Sequence, residues 1–200
     1  VPWPFRLHLI LEEPQSWSRA VNLGLSESTG DVILMDDDVF LHEGPFAAVD
    51  SMYDKADVFG FKLLFPNKTI QHAGGAFRNG FMTHLGHNEE DKGQFDQPQY
   101  TCHLTTSLVY IKRHVLERLG GMAEDYPGLQ FEDVDFSFRA LQAGFKLLYL
   151  PQSATHLQSA SKSAMPRFQE RIEENYRVLK ERWLDRPEWL EKIKAYPVPV

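Results

Sequence analysis

Three consecutive carboxylates, Asp36-Asp37-Asp38, follow directly on the apolar run Val32-Ile33-Leu34-Met35. An extended backbone alternates its side chains, so Asp36 and Asp38 project to one side and Asp37 to the other. Two carboxylates converging on one point make a hard-oxygen site suited to Mg²⁺ or Mn²⁺, ions that keep open positions for phosphate oxygens. The plainer alternative is a solvated acidic turn capping the next helix, and the abrupt exit from a Val-Ile-Leu-Met strand weighs against it. A second constellation is Gly128-Leu129-Gln130-Phe131-Glu132-Asp133-Val134-Asp135. Glu132 and Asp133 fall in the first turn of an expected helix, where the macrodipole stabilises negative charge. That position suits ordinary charge complementation. It equally suits a carboxylate kept ionised near neutral pH to take a proton from a hydroxyl nucleophile. The third is His156, a few residues past the apolar run ending at Leu150. It reads either as a hydrogen-bonded structural residue or as a neutral imidazole completing the shell of a carboxylate-bound Mn²⁺.

These residues need strands and helices to hold them. Phe5 to Leu11 predicts a strand, and Gln15 to Ser28 a helix with Trp17, Ala20, Val21, Gly24 and Leu25 on one side. Val32 to Met35 has the continuous apolar character of a strand buried on both faces. Gly44-Pro45 opens a helix to about Asp54, with proline in its first turn. Val58 to Phe65 and Leu108 to Ile111 predict strands, and Arg113 to Leu119 a short helix closed by Gly120-Gly121. Phe131, Val134, Phe138 and Leu141 space a helix over Glu132 to Ala143, and Phe145 to Leu150 returns to a buried strand. Gly80 to Gln99 is polar and reads as a long loop, a candidate cover for a ligand. Past Ser163 a charged helix carries the stripe Phe168, Ile172, Tyr176, Leu179 and Trp183 and is expected to end at Pro187. Strands alternating with helices predict an α/β fold with a mainly parallel sheet, whose ligands sit beyond the carboxyl ends of the strands. The triple aspartate is at such an end.

The chain has 200 residues, 42% hydrophobic and 24% charged, enough for one sizeable core. No apolar run approaches the roughly 20 residues of a membrane helix. Cys102 is the single cysteine, which excludes an intrachain disulfide and a Cys-rich zinc site. With 21 Lys+Arg against 28 Asp+Glu the net charge is −7. Such a chain has no global attraction for nucleic acid, which is not an expected partner. A phosphorylated small molecule would instead need a metal ion or a local positive pocket as a bridge. A reducing compartment suits the lone cysteine, so the expected setting is the cytoplasm, with peripheral membrane attachment compatible with the charge balance.

The order and spacing of several segments resemble the centre of family-2 glycosyltransferases of the GT-A fold. The similarity runs through Ser18-Arg19-Ala20-Val21-Asn22-Leu23-Gly24, Thr29-Gly30-Asp31 to Asp38, Thr105 to Arg113, and Gly120-Gly121-Met122. It continues in Glu132-Asp133-Val134-Asp135-Phe136-Ser137-Phe138-Arg139-Ala140, Gln142-Ala143-Gly144-Phe145 and Thr155-His156, and covers roughly residues 15 to 162. The resemblance implies a Rossmann-like GT-A core over 1–162 with a C-terminal helical extension over 163–200. It implies transfer of a sugar from a nucleoside-diphosphate-sugar to the hydroxyl of a glycan, lipid-linked or small-molecule acceptor, with inversion and with Mn²⁺ or Mg²⁺. Asp36 and Asp38 take the place of the DxD pair, with Asp38 the direct metal ligand and Asp36 also facing the donor. Asp37 and Asn22 fall on the donor side. Asp133 stands as the catalytic base with Glu132 beside it orienting the acceptor, and His156 joins the metal shell.

The chain opens where family members are already near their midpoint, past the strands that hold the nucleotide base. It is therefore expected to be N-terminally incomplete, with three alternatives open: a piece of a larger chain, a protein whose base pocket comes from another segment, or one that has lost that function. Thr106 and Ser107 stand where members often carry Gly-Ala. Phe65 to Gly75 resembles a hairpin of rhamnosyl-type members, in which His72 would touch the diphosphate or sugar. His84, His87 and His103 are candidates for a transition-metal site, disfavoured by their place in the expected loop and the lack of a carboxylate at helical spacing. Lys162, Arg167 and Arg139 are candidates for phosphate contact, and Arg139 equally for an i,i+4 pair with Asp135. Two other classes stay open. A nucleotidyltransferase would use the same aspartates but needs a glycine-rich basic triphosphate loop, which is not found. A non-catalytic GT-A-like module would keep glycan or metal affinity without turnover.

Overall fold

The structure is a computed structural model that describes residues 8–10, 16–126, 130–157 and 167–200. Side-chain alternation in strand β3 (Val58–Leu64) divides the core in two. Phe59, Phe61 and Leu63 point to one face and pack with Val49 of helix α2 (Pro45–Met52) and with Leu108, Leu148 and Leu150. Val58 points to the other and joins Val109, Ile111, Leu147 and Tyr149 against Val134, Phe138 and Leu141 of helix α4 (Glu132–Gln142). The strands β8 (Leu108–Ile111) and β9 (Leu147–His156) thus also send alternate residues to opposite faces, as the pleat requires.

The α/β class is as expected, and the sheet is mixed, not mainly parallel. Its order is β1-β8-β3-β9-β7-β10, where β1 is Val32–Met35, β7 Gln99–Tyr100 and β10 Val198–Pro199. Strand β2 (Val39–Leu41) adds to β9, and β4 (Ile70–His72) to β3. Among the described residues only β3 and β9 pair in parallel. Strand β8 runs antiparallel to both β1 and β3, so β1, β3 and β9 share one direction with a reversed strand inserted among them. Strand–helix alternation correctly implies the shared direction. It does not reveal β8, which enters the sheet from the excursion over residues 65–107. Nor is β1 buried on both faces: Ile33 and Met35 are 45% and 44% exposed.

Two further differences bear on the site. Strand β9 does not stop at Leu150. Its register against β3 shifts between Phe61 and Lys62, which pair with Leu150 and Ser153, and this bulge absorbs Pro151, which has no N–H to give a ladder. The strand therefore continues to His156, which lies opposite Val39 of β2. The stretch from Gly80 is not all loop. Strand β5 (Gly75–Arg78) and β6 (Phe81–His84) form a hairpin in which Arg78 faces Phe81 across Asn79-Gly80. Both turn residues have positive φ, 52° and 86°, as a type I′ turn demands. Beyond the hairpin the chain is fastened by the buried Lys62, whose Nζ donates to Asp91 at 3.0 Å and to Asp96 at 2.6 Å.

Helix α1 spans Trp17–Ser26, with the Ser16 hydroxyl accepting from the Arg19 N–H at its start. Helix α3 (Arg113–Leu119) ends at Gly120 as expected. Of the expected first strand, residues 8–10 are described and form none; the rest lies outside the described residues. The charged C-terminal helix α5 (Phe168–Leu179) runs through a π-helical turn that ends at Leu184, and Pro187 opens a further helix, α6 (Pro187–Lys194), instead of only closing the previous one. Trp183 and Trp189 pack with Phe138 at ring-centroid distances of 5.6 and 5.4 Å. Asp135, fully buried on α4, accepts from Trp183 Nε1 at 2.8 Å, Arg182 Nη1 at 2.9 Å, Arg139 Nε at 2.8 Å and Tyr126 Oη at 3.3 Å. Among the described residues, no helix is long and apolar enough to cross a membrane.

Candidate active site

Because β1 and β9 run the same way, their carboxyl ends lie at one edge of the sheet. The triple aspartate and His156 meet there, beside a cavity of about 520 Å³. One ligand atom from each of Asp36, Asp38 and His156 lies within 4.8 Å of the other two. His156 Nε2 is 3.0 Å from Asp38 Oδ1 and 3.8 Å from Asp36 Oδ2. Its Nδ1 is 2.7 Å from Gln71 Oε1. Gln71 accepts the Nδ1 proton, which turns Nε2, the other ring nitrogen, toward the carboxylates. An outer partner of this kind fixes the tautomer of a metal-binding histidine. Two carboxylates and a neutral imidazole fit a divalent cation of the Mg²⁺ or Mn²⁺ class. Asp37 is exposed and also borders the cavity.

Glu132 and Asp133 enter the same cavity from the first turn of α4. The two residues ahead of that helix, Gln130 and Phe131, hold φ of 86° and 73°, a conformation costly for side-chain-bearing residues. Asn175 of α5 fastens this corner by donating to the Gln130 carbonyl at 2.8 Å. Asp133 Oδ2 is 3.2 Å from His103 Nε2, and its Oδ1 accepts from the Val134 N–H at 2.8 Å. Burial pushes the Asp133 carboxyl up, but the charge and hydrogen bond of His103, with His84 and the Val134 amide, outweigh it and hold it below the ordinary carboxylate range. Glu132 is buried beside it.

His72, at the end of β4, is completely buried and borders the cavity. Its Nδ1 lies 2.8 Å from Nδ1 of His84. Burial above all, then the neighbouring His84, His103 and His87, holds His72 well below the ordinary histidine value, so its ring is neutral. His84 is not a loop residue: it ends β6, opposite Gly75. His103 sits against the same glycine, where a Cβ on residue 75 would come within 2.6 Å of the His103 Cβ. His87 Nδ1 donates to the Gln71 carbonyl at 2.9 Å.

Asn22 does not reach the cavity. Its amide donates to the Met122 carbonyl at 2.9 Å and to Glu124 Oε1 at 2.8 Å, and its oxygen accepts from the Met122 N–H at 2.8 Å. Instead of the donor side, it staples α1 to the segment after α3. Arg139 pairs with Asp135, as one of its two expectations had it, and Arg167 pairs with Glu170. Lys162, Gly128 and Leu129 lie outside the described residues. Thr106 and Ser107 do border the cavity, as does Trp17. Burial pushes the Cys102 thiol up to about 12, which leaves it inert. Sequence reasoning missed Gln71 and the joint placement of His72, His84 and His103. The Asn79-Gly80 pair was the available signal for the latter, since it fixes the hairpin that brings His84 to the cavity.

The fold has known counterparts. In the crystal structure of GalNAc-T7 with UDP, GalNAc and Mn²⁺, 35% of that chain overlays on 84% of this one with a TM-score of 0.59 at 16% identity, which shows a GT-A-type fold. The crystal structure of A197 from STIV overlays on 68% of this chain with a TM-score of 0.43 at 17% identity, covering 62% of its own chain, too loosely to carry weight. An uncharacterized protein, y4gI of Sinorhizobium fredii (strain NBRC 101917 / NGR234), is 26% identical over 183 residues, 85% of this chain. The chain spans 20% of that relative's length. The sequence model described as glycosyltransferase like family 2 matches residues 6–183. With a GT-A-type fold beneath that match, the chain belongs to the family-2 glycosyltransferases.

Proposed function

We propose that the protein transfers a sugar from a nucleoside-diphosphate-sugar to an acceptor hydroxyl, with inversion and with a divalent cation held by Asp36, Asp38 and His156. The observation that carries this reading is the placement of that ligand set and the ionised Asp133 on one cavity. A bound Mg²⁺ or Mn²⁺ supplies charge neutralisation for the departing diphosphate. The chain's own groups do the rest. Asp133 Oδ2 takes the proton of the acceptor hydroxyl as that oxygen bonds to the anomeric carbon, while the bond from that carbon to the diphosphate oxygen breaks and its electron pair leaves with the diphosphate. His103 holds the Asp133 carboxylate in place, and Glu132 orients the acceptor beside it. Gln71 holds His156. A single displacement needs no protein nucleophile and inverts the anomeric centre. The UDP, GalNAc and Mn²⁺ of the GalNAc-T7 structure support the donor and metal class. Glycan, lipid-linked and small-molecule hydroxyls all suit an acceptor side built from Glu132, Thr106 and Ser107.

The test is a thermal-shift panel of UDP, GDP and dTDP, each with Mn²⁺, Mg²⁺ or a chelator, on the wild type and Asp38→Ala. A ligand that binds only the native state raises its apparent stability. The expected outcome is a metal-dependent shift for at least one nucleotide that Asp38→Ala loses. A nucleotide shift indifferent to both chelator and Asp38→Ala contradicts the proposed donor site.

A further inference from the structure

Three imidazoles arrive from three separate segments. His72 ends β4, His84 ends β6, and His103 lies between β7 and β8. Their ring centroids are 4.9, 5.5 and 5.3 Å apart for the pairs 72–84, 72–103 and 84–103. One ring nitrogen from each lies within 4.8 Å of the other two. We propose that His72, His84 and His103 form a second metal centre, for a borderline transition cation of the Zn²⁺, Co²⁺ or Ni²⁺ class, distinct from the Asp36–Asp38–His156 set and sharing no residue with it.

Three observations support it. First, His72 and His103 are 0% and 1% exposed, yet among the described residues His103 Nδ1, the ring nitrogen turned away from Asp133, has no hydrogen-bond partner. Buried polar atoms are normally satisfied, so an orphan nitrogen inside this cluster asks for something to bind. Second, the two Nδ1 atoms of His72 and His84 face each other at 2.8 Å, and one of them must carry a proton for the contact to be attractive. A cation accepting both lone pairs resolves that constraint. Third, the surroundings are those of a cation site. The described residues around this cavity include Asp36, Asp37, Asp38, Glu132 and Asp133 and no Lys or Arg. Asp133 on His103 supplies the carboxylate partner that commonly orients a metal-bound imidazole.

The donor sets also separate the two centres chemically. Two carboxylates with one imidazole suit Mg²⁺ or Mn²⁺, whereas three imidazoles favour Zn²⁺, Co²⁺ or Ni²⁺. His84 is exposed, which gives an ion a way in and makes it the residue to alter without disturbing the core.

The proposal stands apart from sugar transfer and is tested without it. The purified protein is stripped with a chelator and titrated with Co²⁺ in excess Mg²⁺, following the visible d–d absorption, and Zn²⁺ retained after dialysis is counted by elemental analysis. The variants are His84→Ala, His84→Gln and Asp38→Ala, each checked for folding by circular dichroism. The expected result is a Co²⁺ band and one retained Zn²⁺ in the wild type and in Asp38→Ala, both lost in folded His84→Ala and His84→Gln. A wild type with neither band nor retained Zn²⁺ overturns the proposal. So does a band that survives both His84 variants, or one that Asp38→Ala abolishes.

Discussion

Asp31 and Asp133 are both carboxylates set beside a sheet edge, and their partners give them different work. Asp31 accepts from Tyr110 Oη at 2.6 Å, Tyr53 Oη at 2.8 Å and the Arg113 N–H at 2.8 Å, tying the start of β1 to β8 and α3. Burial raises its carboxyl, and the hydrogen bonds from Tyr110, Arg113 and Tyr53 outweigh that and hold it below the ordinary range. A carboxyl lowered in the folded state contributes stability that is complete above its unfolded value, about 3.9, and is lost as pH falls through the lower folded value. The melting temperature of the wild type should therefore exceed that of Asp31→Asn by a constant margin at neutral pH, and the margin should close below about pH 4. A margin that widens on acidification would show the opposite sign. Among single residues, the sequence made Asp36, Asp38, Asp133 and His156 visible because strand ends and helix first turns are readable positions. Gln71 was not visible, because its contact with His156 exists only once β4 is laid against β3, the strand that β9 also borders. Asn22 was misplaced for a related reason: an amide on α1 carries no mark of the loop it will staple.

At the scale of elements, the β5–β6 hairpin decides where His84 and His103 sit. Gly75 pairs with His84 across the hairpin, and His103 packs on its bare α-carbon. A methyl at 75 would come within 2.6 Å of the His103 Cβ and 2.8 Å of its Nδ1, neither of which lies at the far end of a flexible chain. Gly75→Ala should cost about 1–3 kcal/mol, as over-packing does, measured by urea unfolding. An unchanged midpoint would mean that the hairpin yields and does not position His103. The first four helices were legible to within about two residues at each end, since caps and apolar spacing are local signals: Pro45, Gly120 and the stripe on α4 act where they were expected, whereas α6, opened by Pro187, was not foreseen. The hairpin was hidden by its polar composition, although Asn79-Gly80 names its turn. Strand β9 was cut short because Pro151 reads as a terminator, and the bulge that accommodates it depends on β3.

For the molecule as a whole, the sheet's mixed order could not be read from strand–helix alternation. A reversed strand leaves no local trace, and β8 looks like any buried run. What binds the C-terminal helices to the core is equally non-local. Asp135 lies inside a family-like motif, yet its four donors come from α4 itself, the segment before it and the turn after α5. Asp135→Ala leaves Arg139 and Arg182 without that carboxylate, and should lower unfolding stability by about 3–5 kcal/mol, read by urea denaturation. A loss under about 1 kcal/mol would mean that the ion pairs are replaced by solvent at little cost. The central claim concerns the cavity these parts enclose, and it is tested most directly by nucleoside diphosphate release. The protein is incubated with UDP-, GDP- and dTDP-sugars and Mn²⁺, and the wild type is compared with Asp133→Asn. The account predicts Mn²⁺-dependent release from one donor, reduced by about 10²- to 10⁴-fold in Asp133→Asn with nucleotide binding intact. Equal release by the two proteins would contradict it.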